Sequence, residues 1–224
     1  MKTLMNSIAV SARSTCVKSL LVSAFLVLAG CGTALQQVRP SVYDFGPGAL
    51  STPTIAANAR QAPSTTPLII GEINATAALD STAVQYRMAY TDALQLKPYS
   101  KARWSMAPAD LIRQRLREQL GQSRTLLNPG EGGQSGLSAP NTLRVDLEEF
   151  SQLFESPDKS IGLLRMRVTL IQTQANGATR AAQRSIIVQR PAPSADAAGG
   201  VRALTDATDA AMQEVDDWLR GAMP

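Results

Sequence analysis

Apolar and polar side chains alternate along several stretches of the chain, which predicts a β-sheet. A period of two runs through residues 84–88 and again through residues 164–170, as is typical of strands with one buried face. Turn residues separate the stretches, with Thr91-Asp92 in the first predicted hairpin and Asn176-Gly177 as a strong turn signal in the last. The predicted strands cover residues 68–73, 84–88, 94–98, 143–150, 164–170 and 186–188.

One predicted strand contains a change of phase. Residues 143–147 place their apolar side chains on one face, whereas Phe150 is out of phase with them. An extra residue in a β-bulge restores the phase and bends the strand. The sequence therefore predicts a β-bulge at Glu148-Glu149.

Two further stretches have the apolar spacing of amphipathic helices. The first begins at Pro108, which suits the first helical position, and ends before Gly121, a common stop residue. The second spans residues 204–219, with alanine, leucine and tryptophan on one side and aspartates on the other. Together with the strands, these helices predict a single α/β domain with a mixed, mostly antiparallel sheet and two main helices.

The first thirty residues have the pattern of a secretory signal peptide. Lys2, Arg13 and Lys18 precede an apolar run from Leu20 to Leu28, and no acidic residue is present. This run is too short for a permanent membrane span, which needs roughly 20 residues. We predict that residues 1–30 are a signal peptide.

Cys31 stands directly after Leu28-Ala29-Gly30, an order that resembles the lipobox of bacterial lipoproteins. The resemblance implies a diacylglyceryl group on the Cys31 thiol, cleavage before it, and a fatty acid such as palmitate on the new amino terminus. Such multiple acylation anchors a protein stably to a membrane. Gly32 follows, where enterobacterial lipoproteins kept in the inner membrane carry aspartate, which favours the outer membrane. The alternative is an ordinary secreted protein with a chance cysteine.

After Cys31 the sequence divides into a tether and a domain. Residues 46–67 are small, polar and interrupted by proline, so they bury too little surface to offset their chain entropy. About 20 such residues span roughly 25 Å. Tyr43-Asp44-Phe45 is expected to dock as a short edge element. The predicted divisions are residues 31–67 for the lipidated N-terminus and tether, and residues 68–224 for the domain.

The composition excludes several classes of function. The chain has no histidine, which removes the commonest general base and metal ligand. The 22 Lys+Arg and 18 Asp+Glu become 19 and 18 once the signal is removed, so no field for nucleic acid remains. With one cysteine acylated, no disulfide is expected. We expect no metal, no cofactor and no enzyme activity, although a Ser-Lys dyad or paired carboxylates stay formally open.

An ordered set of motifs resembles the ABC-type transport auxiliary lipoprotein family. The resemblance covers essentially the whole mature chain, and the glycine-rich loop at residues 128–140 departs from it. The resemblance depends on the order of several motifs rather than on any single one. Besides the lipobox, the motifs are Tyr43-Asp44-Phe45-Gly46, Val84-Gln85-Tyr86-Arg87, Tyr99-Ser100-Lys101-Ala102-Arg103-Trp104, Pro108 at a helix start, and the pair Phe150 and Phe154.

The resemblance implies a role in transport rather than catalysis. Such lipoproteins work beside periplasmic MCE-domain proteins, with a permease and an ATPase in the inner membrane. The chain would be anchored to the outer membrane on its periplasmic face, where it would dock the MCE-domain protein and support phospholipid movement between the membranes. The alternative is an envelope assembly or structural lipoprotein that partners an outer-membrane β-barrel. A homo-oligomer remains open.

Arg87, Arg103 and Trp104 are the candidate partner-binding residues, because arginine and tryptophan dominate interface hot spots. In the alternative interpretation, Trp104 seals the core and Arg103 pairs with a carboxylate. Tyr86 and Arg87 are expected on opposite faces of their strand. Arginines of the last hairpin, at positions 165, 167, 180, 184 and 190, form a solvated face with partners such as Asp146 and Glu148 in the favoured interpretation.

Overall fold

The computed structural model describes residues 39–48, 64–131, 140–174 and 177–223, and the side chains of residues 64–66 are not included. The predicted signal peptide, Cys31 and most of the predicted tether therefore lie outside the described residues. Eight strands and three helices are present in this part of the chain. The strands are β1 (Ser41–Tyr43), β2 (Ser64–Ala75), β3 (Ala83–Met88), β4 (Ala93–Trp104), β5 (Arg124–Leu127), β6 (Asn141–Ser156), β7 (Lys159–Thr173) and β8 (Thr179–Pro191). The helices are α1 (Ala89–Asp92), α2 (Pro108–Leu120) and α3 (Ala197–Ala222).

All eight strands belong to one mixed sheet that forks along β6. On one side β6 pairs with β7 over its whole length, and β7 pairs with β8, both antiparallel. On its other side, the first half of β6 pairs in parallel with β2 and the end of β6 pairs in parallel with β3. One branch therefore runs through β2 to β5, and the other runs through β3 and β4 to β1. The predicted α/β class with a mixed sheet is confirmed.

The predicted β-bulge lies at this fork. The register of β6 against β7 shifts between Leu147 and Glu149. Before the shift β6 pairs with β2 up to Leu147, and after it β6 pairs with β3 from Gln152. Since a bulge bends and twists its strand, it turns the second half of β6 towards the β3 branch. The phase change in the sequence thus marks the branch point of the sheet.

The two long helices cover one face of the sheet. α2 begins at Pro108 and is followed by Gly121, as predicted. α3 is capped by Asp196, whose carboxylate accepts a hydrogen bond of 2.7 Å from the amide of Gly199. The predicted turn at Thr91-Asp92 is instead part of α1, a single helical turn. No helix within the described ranges is long and apolar enough to cross a bilayer.

Gly162 lets α3 approach β7 closely. A β-carbon added at Gly162 would lie 2.5 Å from the carbonyl carbon of Ala203 and 2.6 Å from the amide nitrogen of Leu204. Both atoms belong to the backbone of α3, so a flexible side chain cannot relieve the contact. The absence of a side chain at Gly162 therefore sets the distance between the helix and the sheet.

We expect Gly162→Ala to lower the free energy of unfolding by about 1–3 kcal/mol, because the methyl group overpacks the interface. Urea denaturation of the unacylated domain measures this change. Gly221→Ala is the matched control, since a β-carbon there meets nothing within 4 Å and alanine is favoured in a helix by roughly 0.5–1 kcal/mol. Equal effects of the two substitutions would contradict the close packing at Gly162.

The N-terminal segment docks on the domain, as predicted for Tyr43-Asp44-Phe45. β1 pairs in parallel with the end of β4, and Phe45 is buried. Arg115 of α2 donates a hydrogen bond to the carbonyl of Phe45, and its guanidinium carbon lies 6.0 Å from the centre of the phenyl ring. The docked segment therefore interrupts the predicted tether, and residues 31–38 and 49–63 of that tether lie outside the described residues.

The strands extend beyond the predicted ranges, and one strand was not predicted. β2 begins at Ser64, within the predicted tether, and pairs there with β5 at Arg124. β5 itself was missed, because its four residues carry no readable period.

Candidate partner-binding surface

The second face of the sheet, which we call the open face, is covered by no helix among the described residues. Because side chains alternate along a strand, the apolar even-numbered positions of β7 and β8 point towards α3, and the odd-numbered positions point to the open face. The open face is thus the largest sheet surface available to a partner. Its residues include Arg87, Arg103, Arg144, Asp146, Glu148, Leu153, Ile161, Leu163, Arg165, Arg167 and Ile187.

A charged cluster lies at the centre of the open face. Glu148 accepts contacts of 3.0 Å from Arg165 and from Arg167 of the neighbouring strand. The two guanidinium groups remain about half exposed, so the cluster keeps an excess of positive charge towards solvent. The predicted pairing with Glu148 is confirmed, whereas Asp146 accepts a hydrogen bond of 3.0 Å from Asn74 instead.

A second, more buried pair joins the bulge to the β3–β4 hairpin. Arg87 donates two hydrogen bonds to Glu149, of 3.1 Å and 3.0 Å, and the hydroxyl of Ser151 donates another of 2.6 Å. Such bidentate pairs fix both partners in one geometry. Arg87 also donates to the carbonyls of Ala93 and Leu94, each at 3.2 Å. The hairpin and the fork are therefore held together through one guanidinium group.

An apolar patch borders these charges. Leu153 and Ile161 are register partners, and Leu163 follows Ile161 on the same face of β7. Ile187 on β8 is 59% exposed and lies opposite Arg165. Apolar groups beside arginines are typical of interface centres. The sequence contained a signal for this patch, because positions 161, 163 and 187 are apolar although they alternate with the core positions. It was missed because the even-numbered apolar residues of the same strands form the clearer pattern.

Two of the three predicted site residues lie on the open face. Arg87 points to the open face and Tyr86 to the helix side, where its ring centre lies 4.6 Å from that of Tyr99. The expected opposition of Tyr86 and Arg87 is confirmed. Arg103 donates to the carbonyls of Tyr99 and Ala102, so its anchor is backbone rather than the carboxylate considered above. Partner binding at Arg87 and Arg103 stays a prediction.

Trp104 lies in the core, 2% exposed. Its ring centre lies 5.5 Å from that of Phe45 and 5.6 Å from that of Phe150. This cluster joins the docked N-terminal segment to β4 and β6. In this conformation the indole offers no surface to a partner. Its position agrees with the alternative interpretation, in which Trp104 seals the core.

A buried polar chain lies on the helix side of the sheet, away from the open face. Tyr99 donates a hydrogen bond of 2.8 Å to Gln152, and Gln152 donates one of 2.7 Å to Ser160. Burial, with smaller contributions from Tyr86 and Asp196, raises the pKa of Tyr99 well above its usual range. The phenol therefore stays protonated and acts as a donor that fixes β4 on β6.

A shallow cavity lies between the docked N-terminal segment and α2. Its volume is about 70 Å³, well below the roughly 300 Å³ at which small-molecule pockets begin. Asp44, Arg115 and Glu118 are among its lining residues. Its size and its charged lining do not suit an acyl chain.

Comparison with solved structures supports the fold. A crystal structure of protein XCC0632 from Xanthomonas campestris, described as a DUF330 protein, matches with a TM-score of 0.57 at 18% identity, covering 70% of this chain and 85% of its own. A crystal structure of an uncharacterized protein matches with a TM-score of 0.56 at 12% identity, covering 81% of this chain and 99% of its own. At these identities the likeness concerns the fold alone.

Sequence comparison identifies the family. No curated protein sequence matches the chain. A family model described as the ABC-type transport auxiliary lipoprotein component matches residues 49–216, which include the fork, the open face, α2 and most of α3. The chain therefore belongs to the family of ABC-type transport auxiliary lipoprotein components.

Proposed function

We propose that the protein is the outer-membrane-anchored, periplasmic component of an MCE/ABC-type system that moves phospholipid between the two membranes. In this proposal Cys31 carries the lipid anchor, and the domain docks the periplasmic MCE-domain protein. A permease and an ATPase in the inner membrane complete the system, and the ATPase supplies the energy. The chain itself supplies position rather than catalysis.

Membership of the transport auxiliary family is the observation that carries the proposal. Such a component acts through contact with the other parts of a transporter, so it needs a surface that its own fold leaves free. The open face meets this need, because it combines the apolar patch around Leu163 and Ile187 with the half-exposed Arg165 and Arg167. We propose that the MCE-domain protein binds there, with a surface that is acidic where it meets these arginines.

Rigidity of the open face favours the same assignment. Arg87 and Glu149 hold the fork at the bulge, and two long antiparallel pairings hold β6, β7 and β8 in register. A preformed surface loses little conformational entropy on binding. Arg87 and Arg103 remain candidate contacts at the β3–β4 side of this surface, whereas buried Trp104 supports it from the core.

Reversing charge on the open face should weaken binding to the transporter. We expect Arg165→Glu/Arg167→Glu to reduce capture of the MCE-domain protein roughly tenfold or more, which corresponds to about 1.4 kcal/mol. The measurement is quantitative mass spectrometry after mild cross-linking and affinity capture of the tagged lipoprotein. A circular dichroism melt establishes that the variant is folded.

Arg180→Glu/Arg202→Glu is the matched control, because both residues are exposed away from the open face and the change in net charge is the same. This control should capture the MCE-domain protein, permease and ATPase as well as the native chain does. Cys31→Ser tests the contribution of the anchor. Recovery of an outer-membrane barrel in place of these partners would overturn the proposal in favour of an envelope assembly role. Equal loss in both double variants would argue against docking through the open face.

A further inference from the structure

We propose that the tip of the β3–β4 hairpin, residues 88–96, inserts into the surface of the membrane that holds the protein. Tyr90 and Leu94 are the residues that would enter the bilayer interface. The inference rests on the lipid anchor at Cys31 that the proposed function includes, and it adds a second contact and a defined orientation.

The hairpin tip exposes two apolar side chains, and the polar side chains of Asp92 and Arg87 fix the backbone at Leu94. Leu94 is 91% exposed and Tyr90 is 47% exposed. The amide of Leu94 donates a hydrogen bond of 2.9 Å to Asp92, and its carbonyl accepts one of 3.2 Å from Arg87. Burial of the Leu94 side chain in an apolar environment outside the domain would therefore be favourable.

The N-terminal segment runs towards the hairpin tip when it is followed backwards from Ser41. β1 runs parallel to β4, with Ser41 opposite Ala102. Tracing the chain back from Ser41 to Pro40 therefore leads along β4 towards its first residues, which form the hairpin tip. This direction favours an anchor on the side of the tip.

The length of the connection fits this arrangement. Leu94 lies eight residues before Ala102, which is at most roughly 26 Å along the strand. Ser41 lies ten positions after Cys31, so this stretch reaches at most about 33–36 Å. The acylated Cys31 can thus lie level with the tip or slightly beyond it, so that both enter the same membrane surface.

The chemistry of the tip suits the boundary between headgroups and acyl chains. Asp92 is the only ionisable acid or base apart from the tyrosine phenol in residues 88–96, and its carboxylate is already used by the amide of Leu94. Tyrosine is enriched at membrane interfaces because its ring is apolar and its hydroxyl remains hydrated. Lys97 follows about 10 Å from Leu94 along β4, at the depth of lipid phosphates. In this orientation the open face stands away from the membrane and stays accessible.

A fluorescent label at the tip tests the contact directly. Cys16 leaves with the signal peptide and Cys31 is acylated in the proposed mature form, so Leu94→Cys would supply the sole free thiol. The lipidated Leu94→Cys protein, labelled with an environment-sensitive fluorophore, is reconstituted into phosphatidylethanolamine/phosphatidylglycerol vesicles that contain nitroxide-labelled lipid. We expect the lipid nitroxide to quench about half of the emission or more, since an interfacial side chain lies within roughly 5–10 Å of the headgroup boundary.

Ile187→Cys is the matched control, because Ile187 is also exposed and apolar but lies on the open face. Its label should remain unquenched. Equal quenching at both positions, or none at Leu94, would overturn the proposal. A Leu94 label that lipid does not quench, but that purified MCE-domain protein shifts to the blue, would assign the tip to that protein instead. If the protein does not float with the vesicles, both the lipid anchor and the inserted tip are contradicted. Capture of the transporter tests the proposed function separately.

Discussion

Trp104→Ala should lower the free energy of unfolding by about 3–5 kcal/mol, the range for truncating a buried aromatic side chain. The indole is 2% exposed and packs against Phe45 and Phe150. Its loss leaves a cavity where the docked N-terminal segment meets the sheet. Urea denaturation of the domain with Cys31→Ser, followed by circular dichroism, measures the change.

Trp218→Ala is the control, because Trp218 is only partly buried on α3. We expect it to cost clearly less than Trp104→Ala. The experiment also separates the two interpretations of Trp104 considered from the sequence. A Trp104→Ala domain with nearly native stability that no longer captures the MCE-domain protein would contradict the core assignment and restore a direct contact.

The position of Trp104 shows that the sequence pattern predicts the relative orientation of neighbouring side chains but not which face of the sheet is buried. Alternation along β4 predicts that Arg103 and Trp104 point to opposite faces, and they do. It cannot say which face the helices cover, because that depends on the packing of α2 and α3 against the distant strands β2 and β7. Periodicity thus assigned side chains to faces, and tertiary packing decided which face is open.

Features set by local chemistry were predicted well. The bulge at Glu148-Glu149 follows from a change of phase, and the start of α2 follows from Pro108. The fork of the sheet was not predicted, because it depends on parallel pairing of β6 with two strands far away in the sequence. The change of phase in β6 indicates a bend at the branch point, but it does not reveal whether the strand pairs with one long partner or with two short ones.

β5 was missed for a related reason. It is four residues long and begins with Arg124, a residue that a sequence pattern assigns to the surface. In the structure Arg124 is buried against Asp216 of α3, which the sequence places on an acidic, solvated helix face. Each residue alone indicates exposure, and only their contact across 92 positions explains their burial.

The Arg124–Asp216 ion pair is buried between β5 and α3. Arg124 donates to the Asp216 carboxylate, to the backbone carbonyl of Asp216 at 3.4 Å, and to the hydroxyl of Ser123 at 3.0 Å. Asp216→Ala leaves the guanidinium buried without its counter-charge. We therefore expect the free energy of unfolding to fall by about 3–5 kcal/mol, as for other broken buried pairs. Urea denaturation measures this loss.

Replacing both partners tests whether the loss comes from the uncompensated charge. The Nε atom of Arg124 is buried without a hydrogen-bond partner in the described part of the chain, so the native pair already bears a desolvation cost. Arg124→Met/Asp216→Leu removes both charges and fills similar space, and such replacements are often neutral or stabilising. We expect the double variant to be at least about 2 kcal/mol more stable than Asp216→Ala. The loss in the free energy of unfolding of the double variant could instead equal the sum of the losses of its two single variants. In that case the pair stabilises the contact between β5 and α3 through packing alone, not through charge.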